Sequence, residues 1–153
     1  MTVCAFPRSW PESITEEYVL IAETDHIFMT EPPNRATPTV PACFPFGYMN
    51  AKAPELKPVV ARFVDDPEAV DPCGPSPVLI HVDLLRRLTP EWLKLSFELK
   101  RDAEANKIFG WVLEMWGYTM ASHRLGIKHL VWPNFQTEPS ALWHTNLDGK
   151  PHI

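Results

Sequence analysis

The sequence contains no long apolar run and no excess of basic residues, and each absence excludes a class of protein. The longest purely apolar stretch, Tyr18 to Ala22, is far shorter than the roughly 20 residues that a helix needs to cross a bilayer. The net charge of −5 leaves no basic stripe that would bind a phosphate backbone. We therefore expect neither a membrane span nor a nucleic-acid partner.

Cysteine is scarce as well. The three cysteines, Cys4, Cys43 and Cys73, do not have the paired spacing of a zinc site. One disulfide remains possible, and the cysteines alone do not identify the cellular compartment. The first eleven residues have neither the basic segment nor the sustained apolar segment of a secretory signal peptide, so we expect no targeting segment in this chain.

Proline, by contrast, is abundant, with 17 among 153 residues. Most prolines lie between the predicted elements, as in 31–41 and 71–77, where they exclude a helix or a central strand. The remaining chain predicts the order strand, loop, strand, helix, strand, helix, helix, strand, which is typical of an α/β or mixed fold. The predicted strands are 18–22, 42–49 (an edge strand), 78–82 and 128–132. The predicted helices are 54–63, a helical stretch in two adjoining parts over 84–88 and 89–102, and 109–125.

Two acidic residues, Glu23 and Asp25, follow the first predicted strand, which we expect to be buried. Alternation along a strand would place both on one side, at the carboxyl end where α/β sheets bind their ligands. Carboxylates suit Mg²⁺ or Mn²⁺, and two of them repel each other unless a cation lies between them. The alternative is a strand that ends in a solvated acidic turn.

The predicted helix over 109–125, which Gly126 would end, is apolar nearly all round, so we expect its lone acid, Glu114, to be buried. Trp111 precedes Glu114 by three residues, so both can face one cavity. An aromatic wall beside an acid suits a sugar or a flat acceptor ring, and burial would raise the affinity of the acid for a proton. A structural glutamate bonded to backbone or arginine is the alternative.

Five segments of the chain occur in a consistent order: 16–28, Pro33-Asn34, Phe44 to Phe46, Asp71 to Val78 and Phe109 to Met115. Together they resemble the hydroxyproline O-arabinosyltransferase family and the related peptidyl serine α-galactosyltransferases. The resemblance covers nearly the whole chain and is far more specific than one acidic pair. It implies a GT-A type, Rossmann-like glycosyltransferase, of which residues 1–153 would be a single partial catalytic domain. The chain would be the central and C-proximal part, without the N-terminal nucleotide-binding strands.

The resemblance also implies a metal site. Glu23 and Asp25 would hold Mn²⁺, or Mg²⁺, on the diphosphate of a UDP-sugar, although many family members have Asp in place of Glu23. His26 would be a ligand or a neighbour of one, with a purely structural role as the alternative. His152 lies close to where the family supplies a histidine ligand, and we expect the usual His-Tyr-Thr-like element, with the third ligand, to lie beyond Ile153.

Substrate contacts are implied in three places. Gly74 and Ser76 lie in a segment similar to a sugar-binding loop, with a stiff turn as the alternative. Glu114 would take the proton from the acceptor hydroxyl, and Trp111 would contact the substrate. Gln136 and Glu138 belong to a segment similar to the acceptor side of the family. For Asp71, which precedes a proline, the sequence suggests a role only in fixing the turn.

The function implied is transfer of arabinofuranose or galactose from a UDP-sugar to hydroxyproline or serine hydroxyls of a polypeptide. A full-length, anchored protein would act in the Golgi or elsewhere in the secretory pathway. One alternative is a non-catalytic remnant that binds glycan or peptide. Another is a metal-dependent hydrolase that uses the same carboxylates.

Overall fold

The computed structural model describes residues 13–137 and 152–153. The strands and helices follow the predicted order, with α3 as an addition. They are β1 (Tyr18–Ile21), β2 (Ala42–Pro45), α1 (Lys57–Val60), β3 (Cys73–His81), α2 (Val82–Arg101), α3 (Ala103–Phe109), α4 (Leu113–Arg124) and β4 (Leu130–Val131), with short 3-10 helices at Pro67–Ala69 and Gly110–Val112.

The four strands form one mixed sheet in the order β1-β3-β2-β4. Both β1 and β2 run antiparallel to β3, with Ile21 opposite Val78 and Ala42 opposite Leu79, and β4 runs parallel to β2. The C-terminal ends of β1, β2 and β4 therefore lie at one end of the sheet, together with the N-terminal end of β3. We call this end the carboxyl end of the sheet.

Two expectations about the strands are wrong. β1 is half-buried and not fully buried, because among the described residues it lies at the edge of the sheet and pairs with β3 alone. β2 was expected at an edge, but it lies between β3 and β4. Its pairing with β3 shifts register between Cys43 and Pro45, an irregularity that accommodates a proline in an internal strand.

The segment predicted as a turn before the third strand is largely strand. β3 begins at Cys73 and is buried along most of its length. Cys73 forms a disulfide with Cys43 of β2, with the two Cα atoms 6.0 Å apart. The disulfide therefore links the two central strands of the sheet.

The long helix α2 is continuous, although the sequence predicted two helices with a boundary at Thr89. The Thr89 hydroxyl donates to the Leu85 carbonyl oxygen instead of capping a new helix, and Pro90 lies inside α2. A proline inside a helix costs about 3 kcal/mol. Continuity keeps the buried leucines of both halves on the core side, namely Leu84, Leu85, Leu88, Leu95 and Leu99.

The predicted helix over 109–125 is interrupted at its start. Gly110 has a φ of +53°, which ends α3 and separates it from α4. At the other end, Gly126 has a φ of +68°, which confirms the predicted glycine stop.

The core lies where α4 packs on α2 and both contact β3, and its largest fully buried side chains include Trp116, Tyr118, Phe109 and Phe135. Within the described residues, no helix combines the length and the apolar character needed to cross a membrane.

Candidate functional site

Glu23, Asp25 and His26 lie together in a turn just after β1. The His26 backbone N–H donates to the Glu23 carbonyl oxygen at 3.2 Å, and the Glu23 N–H donates to His26 Nδ1 at 3.3 Å. One possible ligand atom from each residue lies within 4.8 Å of the others. This turn, and not alternation along a strand, brings the two carboxylates together, because β1 ends at Ile21.

The environment of this turn is open and electronegative. Both carboxylates are exposed and His26 is half-buried. Neither carboxylate has an ion-pair partner within residues 13–137 and 152–153, so no cationic side chain of that part offsets their repulsion. The two carboxylate oxygens are donors that suit Mn²⁺ or Mg²⁺, and the imidazole nitrogen of His26 is a possible third donor.

The chain that follows this turn meets the last described residues. Met29 and Thr30 both donate backbone N–H groups to the His152 carbonyl oxygen, and Thr30 Oγ1 lies 2.6 Å from His152 Nδ1. Gln136 is half-buried, and its Oε1 has no hydrogen-bond partner among the described residues. The structure thus brings the segments 23–30, 132–137 and 152–153 to one region, whereas Glu138 lies outside the described residues.

Gly74 and Ser76 are buried inside β3 and are not part of an exposed loop. A Cβ atom at Gly74 would collide with Met115 and press on Phe46. The space beside this glycine is therefore filled by the side chains of Met115 and Phe46. Ser76 is only 5% exposed, and its Oγ has no partner in the part of the chain that the structure describes. Because Val78 pairs with Ile21, Ser76 lies toward the carboxyl end of the sheet.

The expectation that Glu114 is buried is wrong. Glu114 is exposed in the first turn of α4, although its neighbours Leu113 and Met115 are both buried. Its backbone carbonyl oxygen accepts a hydrogen bond from Trp92 Nε1 at 2.9 Å.

An aromatic surface adjoins Glu114. Trp111 is 73% exposed, and its ring centroid lies 6.1 Å from that of Tyr48, which is also exposed. The Tyr48 ring in turn lies 5.3 Å from the Phe46 ring. We call Tyr48 and Trp111 the aromatic pair. Sequence reasoning identified Trp111 but missed Tyr48, because no local pattern relates residues so far apart in the chain.

A cleft of about 820 Å³ opens between the loop after β2 and the segment before β3. Phe46 forms part of the cleft wall, and the polar side chains that line the cleft include both positively and negatively charged groups. These polar residues are Asn50, Lys52, Glu68, Asp71 and Lys128.

Asp71 is held by a chain of partly buried hydrogen bonds. Its Oδ2 accepts from the backbone N–H and from the ring Nδ1 of His129, both at 3.0 Å, and His129 Nε2 lies 3.0 Å from the Tyr118 hydroxyl. Burial acts to raise the pKa of Asp71, but the hydrogen bonds from His129 outweigh burial and hold this pKa below its usual value. Burial also raises the pKa of Tyr118. The sequence suggested only a turn-fixing role for Asp71.

Residues 1–131 match the family model described as the hydroxyproline O-arabinosyltransferase family N-terminal domain. The chain belongs to the hydroxyproline O-arabinosyltransferase family. The match to an N-terminal domain does not support the central and C-proximal position that the sequence suggested.

Curated members of the hydroxyproline O-arabinosyltransferase family are similar over most of the chain. A hydroxyproline O-arabinosyltransferase of Medicago truncatula is 40% identical over an alignment of 142 residues that covers 90% of this chain and 38% of that protein. Hydroxyproline O-arabinosyltransferase 3 of Arabidopsis thaliana is 39% identical over 143 residues, with the same coverage. The chain therefore spans well under half the length of these relatives.

A more distant relative is the peptidyl serine alpha-galactosyltransferase of Arabidopsis thaliana, 27% identical over an alignment of 158 residues that covers 90% of this chain and 19% of that protein. No solved structure matches the chain. The architecture established for this family member is a mixed α/β fold with a four-stranded mixed sheet, and the GT-A, Rossmann-like assignment stays a prediction.

Proposed function

We propose that the chain is part of a metal-dependent GT-A type glycosyltransferase domain. The domain would transfer arabinofuranose or galactose from a UDP-sugar to a hydroxyproline or serine hydroxyl of a polypeptide. Membership of the family and the names of the relatives support this reaction class. The observation that carries the proposal is the turn in which Glu23, Asp25 and His26 place three possible ligand atoms within 4.8 Å of one another.

In this proposal Glu23, Asp25 and His26 hold Mn²⁺ or Mg²⁺. The bound cation would supply positive charge where the departing diphosphate becomes more negative. The three residues arise from one short turn at the carboxyl end of the sheet, where α/β proteins commonly bind ligands. The hydrogen bond from the Glu23 N–H to His26 Nδ1 places the hydrogen of the neutral ring on Nε2, so His26 would have to give up this bond to coordinate the cation through Nδ1.

The aromatic pair and Glu114 would form the acceptor side. Exposed aromatic rings contribute a large apolar surface that suits a proline ring or the apolar face of a sugar. Glu114, as an exposed carboxylate, would accept the proton of the acceptor hydroxyl. Ser76 and Gln136 each have a buried oxygen without a hydrogen-bond partner among the described residues, so a role in substrate binding would require the chain to open at these two positions.

A secretory or Golgi location fits this proposal. The Cys43–Cys73 disulfide links the two central strands. Disulfides persist in oxidising compartments and are rare in the cytosol.

The metal site can be tested by calorimetric titration of this chain with Mn²⁺, with and without UDP. We expect Asp25→Asn and Glu23→Gln each to weaken Mn²⁺ binding by roughly tenfold or more, because each removes one charged ligand. Glu31→Gln is the matched control, since Glu31 is also exposed but lies outside the cluster. Equal Mn²⁺ affinity in all four proteins would refute the metal site.

The exposure of the aromatic pair favours a second candidate, a non-catalytic module that binds peptide or glycan. Calorimetry separates the two functions. A module of this kind would bind a hydroxyproline-rich peptide but neither Mn²⁺ nor UDP, whereas the glycosyltransferase domain would bind the metal and the nucleotide.

A further inference from the structure

One oxygen of the Asp71 carboxylate is held by hydrogen bonds, and the other can still accept hydrogen bonds. Oδ2 accepts both hydrogen bonds from His129, whereas Oδ1 has no hydrogen-bond partner within the described residues. The Asp71 side chain is 22% exposed and forms part of the cleft wall. The cleft therefore contains a fixed carboxylate oxygen that is ready to accept hydrogen bonds from a ligand.

Buried groups determine the orientation of this carboxylate. Because a carboxylate only accepts, His129 Nδ1 must carry the hydrogen, and Nε2 is then the acceptor for the Tyr118 hydroxyl. The His129 side chain is 0% exposed and Tyr118 is fully buried, so neither can turn away without losing its partner. Outer groups that fix an inner carboxylate in this way are typical of prepared binding sites.

The other side chains of the cleft indicate the kind of ligand. Lys52 lies 4.0 Å from Glu68, and Lys128 donates to the Ala69 carbonyl oxygen, so both ammonium groups already have partners. Two cations and two anions balance in the cleft wall, which does not favour a strongly charged ligand such as a diphosphate.

A neutral polyol fits this environment better. Its hydroxyls can donate to Asp71 and Glu68 and accept from Asn50, while Phe46 supplies an apolar surface. The volume of about 820 Å³ lies within the range of small-molecule sites and admits a sugar ring with a neighbouring group.

We propose that the cleft binds a sugar ring and that Asp71 accepts hydrogen bonds from its hydroxyls, with His129 and Tyr118 as positioning residues. The choice of sugar class rests on the proposed function, because the relatives are named for arabinose and galactose transfer. The site itself is separate from the carboxylates proposed to bind metal.

The test is NMR titration of this chain with methyl α-L-arabinofuranoside and with methyl α-D-galactopyranoside, without metal or nucleotide. We expect Asp71→Asn to weaken binding at least tenfold, because the open carboxylate oxygen is lost. Asp83→Asn is the matched control, since Asp83 is exposed and pairs with Arg86 beyond the far end of β3. Its affinity should equal that of the wild type.

Two variants test whether His129 positions the Asp71 carboxylate. His129→Asn retains a side-chain N–H near the position of Nδ1, whereas His129→Leu is of similar size but has no donor. We expect His129→Asn to keep most of the affinity and His129→Leu to lose it. A merely structural role would give the opposite order, because leucine suits a buried site better than asparagine.

The NMR spectra of the wild-type protein locate the binding site independently of whether the variants fold. Amide shifts caused by the glycosides should map to 45–52, 68–72 and 128–129. Shifts confined to other regions, no binding of either glycoside at tens of millimolar, or equal affinity in folded Asp71→Asn would each overturn the proposal. Failure of the proposed function would appear separately, as unchanged Mn²⁺ binding in the Glu23 and Asp25 variants.

Discussion

At the scale of single residues, Asp71 couples the stability of the fold to pH. Hydrogen bonds from His129 lower the pKa of Asp71 in the folded chain despite the opposing effect of burial, and Lys128 acts in the same direction. The ordinary pKa of an aspartate is about 3.9. The stabilisation is therefore complete above this value and is lost as the pH falls through the lower, folded value.

We predict that acid destabilises wild-type protein more steeply than Asp71→Asn. Urea unfolding between pH 2 and pH 6 measures the free energy of unfolding of both proteins. Asp65, Glu68 and Asp102 also have lowered pKa values, so both curves should fall, and the difference between them reports Asp71. Asp83→Asn should follow the wild type. Parallel curves for wild type and Asp71→Asn would contradict the assignment.

Site residues that are close to one another in the sequence could be predicted to lie together in the structure. Glu23, Asp25 and His26 lie within four residues of one another, so any turn or strand end brings them together. Asp71 and His129 are 58 residues apart. They meet only through the tertiary fold, and no sequence pattern identified them as partners.

At the scale of elements, the contact of α2 with α4 depends on Gly117. A Cβ atom at this position would collide with the Ser96 hydroxyl and would lie 3.3 Å from Trp92 Cδ1. Ser96 cannot easily move away, because its hydroxyl donates to the Trp92 carbonyl oxygen at 2.8 Å. The two helices therefore approach closely at the only residue type that leaves room.

We predict that Gly117→Val lowers the free energy of unfolding by about 1–3 kcal/mol, the usual cost of overpacking. Urea unfolding at neutral pH measures the change. Ala103→Val is the control, because Ala103 is exposed at the start of α3 and should change stability by no more than about 0.5 kcal/mol. Equal effects of the two substitutions would show that the helix contact is not tight.

Helix positions were predictable, but their boundaries were not. The apolar spacing and Gly126 located α4 and its end. The sequence also suggested a boundary at Thr89 and Pro90, where burial of leucines on both sides keeps α2 continuous. Conversely, the apolar pattern continued through Gly110, where the backbone breaks the helix and leaves Glu114 at the surface. At Thr89 and Pro90, packing of the leucines overrides the local signal for a helix boundary. At Gly110, the positive φ overrides the apolar pattern that predicts a continuous helix.

At the scale of the whole molecule, the order of the strands was beyond the reach of sequence patterns. β2 was expected at an edge because of Pro45, yet β4, which is only two residues long, covers its outer side over Ala42 and Cys43. Pairing between strands so far apart in the chain depends on how the helices pack, which periodicity does not report. The family resemblance, in contrast, was accessible, because its motifs are local and occur in a fixed order.

The disulfide makes stability depend on oxidation across the whole molecule. Cys43 and Cys73 are separated by 30 residues, and their link restricts the unfolded chain. The loop-entropy relation gives a stabilisation of about 3–4 kcal/mol for a loop of this size. Because the link joins the two central strands, its loss should weaken the entire sheet and not one end of the chain.

We predict that reduction of the purified oxidised protein lowers the midpoint of urea unfolding. A Cys43→Ala/Cys73→Ala variant should have the same low midpoint with and without reductant. This variant retains Cys4, so it also controls for effects of the reductant on that residue. Mass spectrometry of an unreduced digest should show a peptide pair joined through Cys43 and Cys73. An unlinked pair in fully oxidised protein, or a midpoint that reductant does not change, would refute the link between β2 and β3.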